Sequence, residues 1–124
     1  MAKTILVIED DSFLRELEQK KLMEKGYTIF SAENSAEAFA VLNGPTKVDL
    51  VLLDLLLPEV DGFTILKGIR DNKDLAGIPV IIFSNLYEEK DAKRANKLGI
   101  SDYMLKSNFT LDELSEKIKK FVGE

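Results

Sequence analysis

The run Leu50-Val51-Leu52-Leu53-Asp54-Leu55-Leu56-Leu57, closed by Pro58, limits the fold of this chain more than any other stretch. An unbroken Val/Leu run predicts a strand covered on both faces, as in a parallel sheet lying between helices. Pro58 has no N–H for a sheet ladder, so the strand, read here as Leu50–Leu57, ends by then. A lone carboxylate in such a run is expensive unless it is paired, hydrogen-bonded or bound to a metal. Asp54 therefore points to a site, near the strand end where open α/β sheets bind ligands.

The rest of the chain repeats the theme. Thr4–Ile8 reads as a buried strand ending in three acids, Glu9-Asp10-Asp11. Asp11 or Ser12 then caps a helix carrying Phe13, Leu14, Leu17, Leu22 and Met23, stopped by Gly26. Tyr27–Ala32 is a weaker strand, and Asn34 or Ser35 opens a short helix closed by Gly44-Pro45. After Pro58–Gly62 a helix carries Phe63, Leu66, Ile69 and Arg70. Pro79–Phe83 is a fourth strand ending at Ser84. A charged helix runs from about Glu88 to Leu98, and Ser101–Leu105 is a fifth strand ending at Lys106. Thr110 and Glu113 form a capping box for a last helix with Leu114, Ile118, Phe121 and Val122.

Five strands alternating with five helices through short loops predict right-handed crossovers and one parallel sheet. The expected architecture is α/β, a three-layer flavodoxin-like (βα)5 sandwich with strand order 2-1-3-4-5, as one domain over residues 1–124. That order makes strands one and three neighbours, bringing Glu9 and Asp10 beside Asp54, with Ser84 and Lys106 on the same sheet edge.

The 124 residues carry 17 basic and 22 acidic side chains, a net charge of −5, with no basic block to grip nucleic acid. No apolar run approaches the roughly 20 residues of a membrane span. The chain has no cysteine and no histidine, which removes Ser-His-Asp and Cys-His catalysis and the usual zinc sites. With no signal-peptide pattern either, the expected location is cytoplasmic. Crowded carboxylates call for a protonated acid, a compensating lysine or a cation, and Mg²⁺ suits an all-oxygen set that leaves positions for water and phosphate. An aspartate beside a cation, a lysine and a hydroxyl is equipped to take up a phosphoryl group as an acyl phosphate. Neither GxxxxGK[ST] nor GxGxxG occurs, so the donor is expected to be a phosphoprotein or small phosphodonor.

Four segments in order, Ile5–Asp10, Leu53–Gly62, Ile78–Ser84 and Gly99–Lys106, make the chain resemble the receiver domains of bacterial two-component response regulators from end to end. The resemblance implies that Asp54 accepts phosphate from a histidine kinase or phosphotransfer protein. It implies Mg²⁺ held by Asp10, Asp54 and the Leu56 carbonyl, with Glu9 acting through metal-bound water. Ser84 becomes the switch hydroxyl, Lys106 the phosphate-pairing lysine and Tyr103 the rotating aromatic. The face formed by the fourth helix, fifth strand and fifth helix would then address an output domain or partner protein, or a phosphorylation-dependent dimer. The domain itself would act as a signalling phosphoacceptor, not as an enzyme, and would touch neither nucleic acid nor membrane.

The chain departs from the family pattern at Ser107, where a cis-proline usually follows the lysine, and at Asn85, where a small residue is usual. Leu56 and Leu86, two residues beyond Asp54 and Ser84, are apolar and are expected to flank the path of attacking water. A rival reading is a Mg²⁺-dependent phosphohydrolase with an aspartyl nucleophile. Such enzymes place an acid where Leu56 stands, and no insertion here is long enough for a cap. A third reading is a receiver-like module that binds partners without phosphate.

Overall fold

The computed structural model describes residues 2–123. Its elements are β1 (Thr4–Ile8), α1 (Ser12–Glu24), β2 (Thr28–Ala32), α2 (Ser35–Leu42), β3 (Leu50–Leu53), α3 (Gly62–Asp71), β4 (Val80–Ser84), α4 (Glu89–Leu98), β5 (Asp102–Leu105) and α5 (Leu111–Val122). The strands form one five-stranded sheet in the order β2-β1-β3-β4-β5, and every pairing is parallel. This is the expected doubly wound α/β architecture.

Side-chain alternation divides the core in two. Leu6, Ile8, Val51, Leu53, Val80 and Ile82 pack against Ala38 and Leu42 of α2, Leu66 and Ile69 of α3 and Ala95 of α4. Ile5, Val7, Leu50, Leu52, Ile81, Phe83 and Met104 pack against Leu22 of α1 and Leu114 and Ile118 of α5. Burying each such side chain stabilises the fold by about 1.5–3 kcal/mol, so the central strands anchor everything else. The register lines up the strand ends: Ile8 lies opposite Leu53, and Ser84 opposite Leu105. Glu9, Asp54 and Lys106 each follow the last residue of a strand.

The sequence boundaries shift in places. The central strand stops at Leu53 rather than Leu57, because the chain turns at Asp54 to let α3 approach. β2 starts at Thr28 rather than Tyr27, β4 covers Val80–Ser84 rather than Pro79–Phe83, and β5 starts at Asp102 rather than Ser101. The caps are Asp11 for α1 and Asn34 for α2, and Thr110 and Glu113 form the expected capping box. The inner face of α1 is not the expected one. Phe13, Leu17 and Met23 are exposed, whereas Leu22 and the acid Glu18 are buried. Residues spaced four apart share a helix face, so the phase set by Leu22 brings Glu18 inward and turns Phe13 and Leu17 to solvent. Phe121 of α5 is likewise exposed.

Arg70 at the end of α3 ties three loops together. Its Nε donates to the Gly99 carbonyl at 2.8 Å, and its Nη1 to those of Ala76 and Ile78 at 3.0 and 2.8 Å. The start of α3 determines where Asp54 sits. Gly62 N donates to the Leu55 carbonyl at 3.1 Å. A Cβ at Gly62 would lie 2.5 Å from the Asp54 carbonyl oxygen and 2.6 Å from Leu55 Cα. Both are backbone atoms that can move only with the site. Gly62→Ala is therefore expected to lower stability by about 2–3 kcal/mol in urea unfolding with an unchanged slope. A loss below about 0.5 kcal/mol, within the range of ordinary surface changes, would contradict this close approach.

Candidate functional site

Glu9, Asp54 and Lys106 sit one step beyond β1, β3 and β5 and continue the alternation of Ile5/Val7, Leu50/Leu52 and Met104. They therefore leave the sheet on the side covered by α1 and α5. Asp54 is 5% exposed and is held from several directions. Its Oδ1 accepts from Ser84 Oγ at 2.6 Å and from Leu56 N at 3.0 Å. Its Oδ2 accepts from Lys106 Nζ at 2.7 Å. The same ammonium donates to Glu9 Oε1 at 2.5 Å, while Glu9 Oε2 accepts from Asp11 N at 3.2 Å. Asp10 is exposed at the rim, and Glu9, Asp10 and Asp54 each offer an oxygen within 4.8 Å of the others.

Among the described residues, Lys106 is the only ammonium bonded to two buried carboxylates, Glu9 and Asp54. Burial alone pulls its pKa down, but the hydrogen bonds to Asp54 and Glu9 outweigh this and raise it. Glu9 is raised as well, first by burial and then by the charge on Asp54, against the opposing bond from Lys106. One cation thus holds two acids together without fully compensating them. The remaining negative charge and the all-oxygen donors suit a hard divalent cation, which prefers carboxylate, carbonyl and water oxygen.

A chain of bonds leads outward from Asp54. Ser84 Oγ, donating to Asp54, accepts from Leu86 N at 3.2 Å. The Leu86 carbonyl accepts from the Tyr103 hydroxyl. The Tyr103 ring meets Tyr87 edge-on, with centroids 5.6 Å apart and planes at 87°. The Tyr103 hydroxyl is pushed up to about 12, mainly by burial, with the negative charges of Asp91 and Asp54 adding to it. Tyr103 thus ties β5 to the β4–α4 loop as a hydrogen-bond donor.

The two leucines separate. Leu56 is half exposed beside Asp54, but Leu86 packs against the core on the α2–α4 side. Lys106–Asn108 forms a single 3-10 turn. No cis peptide bond occurs among the described residues, so Ser107 does not take the family proline's cis geometry.

Two residues of α1 join the site without having been singled out. Arg15 Nη1 donates to the Glu9 carbonyl at 2.9 Å and the Asp10 carbonyl at 3.4 Å, and pairs with Glu33 at 3.6 Å. In sequence it reads as one of several solvated charges on a helix. Glu18 is 1% exposed, and its Oε2 has no hydrogen-bond partner among the described residues. Burial pushes its pKa up to about 8, with the Glu9, Asp54 and Asp11 charges adding and Lys106 opposing. The only sequence signal was its place one turn before Leu22.

Glu18 makes stability depend on pH. Below about pH 4.5 the folded and unfolded chains both hold its proton. Between 4.5 and about 8 only the folded chain keeps it, so stability falls as pH rises, and above about 8 the loss is complete. Each unit of separation is worth about 1.4 kcal/mol. Glu18→Leu is expected to raise the melting temperature, by little near pH 5 and by much more at pH 8. A gap that does not change with pH would contradict a buried, neutral Glu18.

The sequence and fold have counterparts in known proteins. The profile of the response regulator receiver domain matches residues 5–119. The transcriptional regulatory protein CrdR of Helicobacter pylori is 39% identical over 124 residues, covering 100% of this chain and 57% of that protein. KdpE of Staphylococcus aureus, also a transcriptional regulatory protein, is 36% identical over 96% of this chain and 49% of its own length. The chain thus spans about half the length of these relatives. The phosphorylated cyanobacterial phytochrome response regulator RcpA superposes with a TM-score of 0.87 at 28% identity, covering 100% of this chain and 96% of that one. A family profile spanning most of the chain and relatives above 30% identity over its whole length agree, and the chain belongs to the response regulator receiver domain family of two-component phosphoacceptors.

Proposed function

We propose that Asp54 is the phosphoacceptor of this receiver and that residues 1–124 act as one signalling domain. The observation that carries the assignment is the Asp54 carboxylate itself, gripped by Lys106 and Ser84 at the end of β3 and flanked by Glu9 and Asp10. The donor is the phospho-histidine of a kinase or phosphotransfer protein. An Asp54 carboxylate oxygen attacks phosphorus as the histidine N–P bond breaks, and the departing ring nitrogen, keeping the electron pair, takes up a proton to give a neutral imidazole beside the new acyl phosphate. Asp10, Asp54 and the Leu56 carbonyl would hold Mg²⁺, with Glu9 assisting at one remove. The metal supplies positive charge beside the phosphoryl oxygens.

Lys106 then turns from the carboxylate to a phosphoryl oxygen, where its ammonium neutralises developing charge. The Ser84 hydroxyl, already aimed at Asp54, moves to donate to another. That movement pulls on Leu86, and through its carbonyl on Tyr103, so occupancy of the pocket biases the face built from α4, β5 and α5. The readers of that face are an output domain, a partner protein or a second copy. A cytoplasmic setting goes with a phospho-histidine donor.

The phosphohydrolase reading places an acid where Leu56 stands, and Leu56 offers only an apolar side chain. Its bulk also shields the acyl phosphate from water. We expect a long-lived modification, decaying over tens of minutes, since excluding one oriented water needs only ~1.4 kcal/mol per tenfold in rate. The test is to treat the protein with a small phosphodonor and follow intact mass. The gain of one phosphoryl group should require Mg²⁺ and be absent from Asp54→Asn, and Leu56→Asn should speed its loss. Continuous turnover of the donor would favour the hydrolase. No gain under any condition would favour a phosphate-independent binding module.

A further inference from the structure

The feature left over by the phosphoacceptor reading is Glu18. Ile5, Val7, Leu50, Leu52 and Met104 place the α1/α5 layer over one face of the sheet, and Glu9, Asp54 and Lys106 continue that face. On α1, Arg15 reaches the Glu9 and Asp10 carbonyls, and Leu22 belongs to the same core as Val7. Glu18 lies between them on α1, one turn from each, within reach of the charges of Glu9, Asp54 and Lys106.

The charge count there does not balance. Glu9, Asp54 and Glu18 are buried, and Lys106 gives its bonds to the first two. Glu18 Oε2 receives none. An unpaired ionised carboxylate at this depth is far more costly than a neutral acid. Other charges around it do not relieve it. Asp11 adds repulsion, and Arg15 is engaged with backbone carbonyls and Glu33. From α5, Asp112 is paired with Lys21 and Lys25, and the Ser115 hydroxyl donates to the Asp112 carbonyl. β2, Thr28–Ala32, has no titratable side chain.

We propose that Glu18 is a proton-exchanging residue coupled to the acidic pocket: it holds a proton in the metal-free protein and releases it to solvent when a divalent cation binds. The idea rests on the cation site proposed above. The cation adds two positive charges near Glu9 and Asp54, and the ionised form of Glu18 then becomes affordable. Its raised pKa of about 8 puts this exchange near neutral pH. By linkage, cation affinity must rise with pH wherever binding expels a proton.

Mg²⁺ is titrated calorimetrically into the full chain near pH 8, in two buffers of different ionisation enthalpy, which counts the protons released. Wild type is expected to release a clear fraction of one proton per Mg²⁺, and Glu18→Gln much less. Wild-type affinity should also rise several-fold more between pH 7 and 9 than that of the variant. Glu18→Leu, which keeps the buried volume without a polar group, serves as a second variant should the amide misfold. In wild type, the Glu18 carboxyl ¹³C titration midpoint should fall when Mg²⁺ is present. Equal proton release in wild type and both variants, or an unmoved midpoint, overturns the proposal while leaving the cation site standing. Absence of Mg²⁺ binding in every form overturns the cation site and the coupling together.

Discussion

The ammonium of Lys106 is the interaction on which the site depends. It joins β5 to the ends of β1 and β3 by bonds of 2.5 and 2.7 Å to Glu9 and Asp54. Two carboxylates this close repel by several kcal/mol at protein-like dielectric, and one ammonium between them reverses the sign locally. The remaining negative charge suits a hard divalent cation. A tighter, neutral cluster would be more stable and less able to bind a cation and a phosphoryl group. The site therefore accepts residual repulsion, and the buried sheet beneath it provides the stability to hold it.

The same bridge would carry the proposed modification of Asp54 towards a distant face. Asp54 is bonded to Lys106 on one oxygen and to Ser84 on the other. A group added to Asp54 must redirect both donors. Redirecting Ser84 strains its bond with Leu86 N, and the Leu86 carbonyl is where Tyr103 is anchored. These are short, discrete hydrogen bonds between rigid strand ends, so the response is a change of partners. Two alternative arrangements of one network are what a two-state switch needs.

Much of this was legible in the chain. The Val/Leu run of β3, the acids after β1, the hydroxyl ending β4 and the lysine after β5 follow from strand periodicity, and parallel topology brings them together. The end of β3 was misplaced because Leu55 and Leu57 are apolar for another reason: Leu55 is buried in the core and Leu57 packs against it, beyond the sheet. Hydrophobicity alone cannot separate an apolar loop from a strand. The face of α1 was misread for the converse reason. Phe13 and Leu17 look like core residues but are exposed, while a glutamate occupies the inward position. Neither the Arg15 clamp nor the Tyr103–Leu86 bond has a local signature, since each joins residues brought together only by the fold.

The most direct test asks whether Lys106 works by compensating Glu9 and Asp54. Unfolding free energies are measured in metal-free buffer at pH 7 for Lys106→Met, in wild type and in a Glu9→Gln/Asp54→Asn background. Removing the ammonium from wild type strands two buried carboxylates and is expected to cost about 3 kcal/mol. In the neutral background the same change should cost less than half as much. Equal losses in the two backgrounds, within about 0.5 kcal/mol, would mean that Lys106 is not the centre of this site.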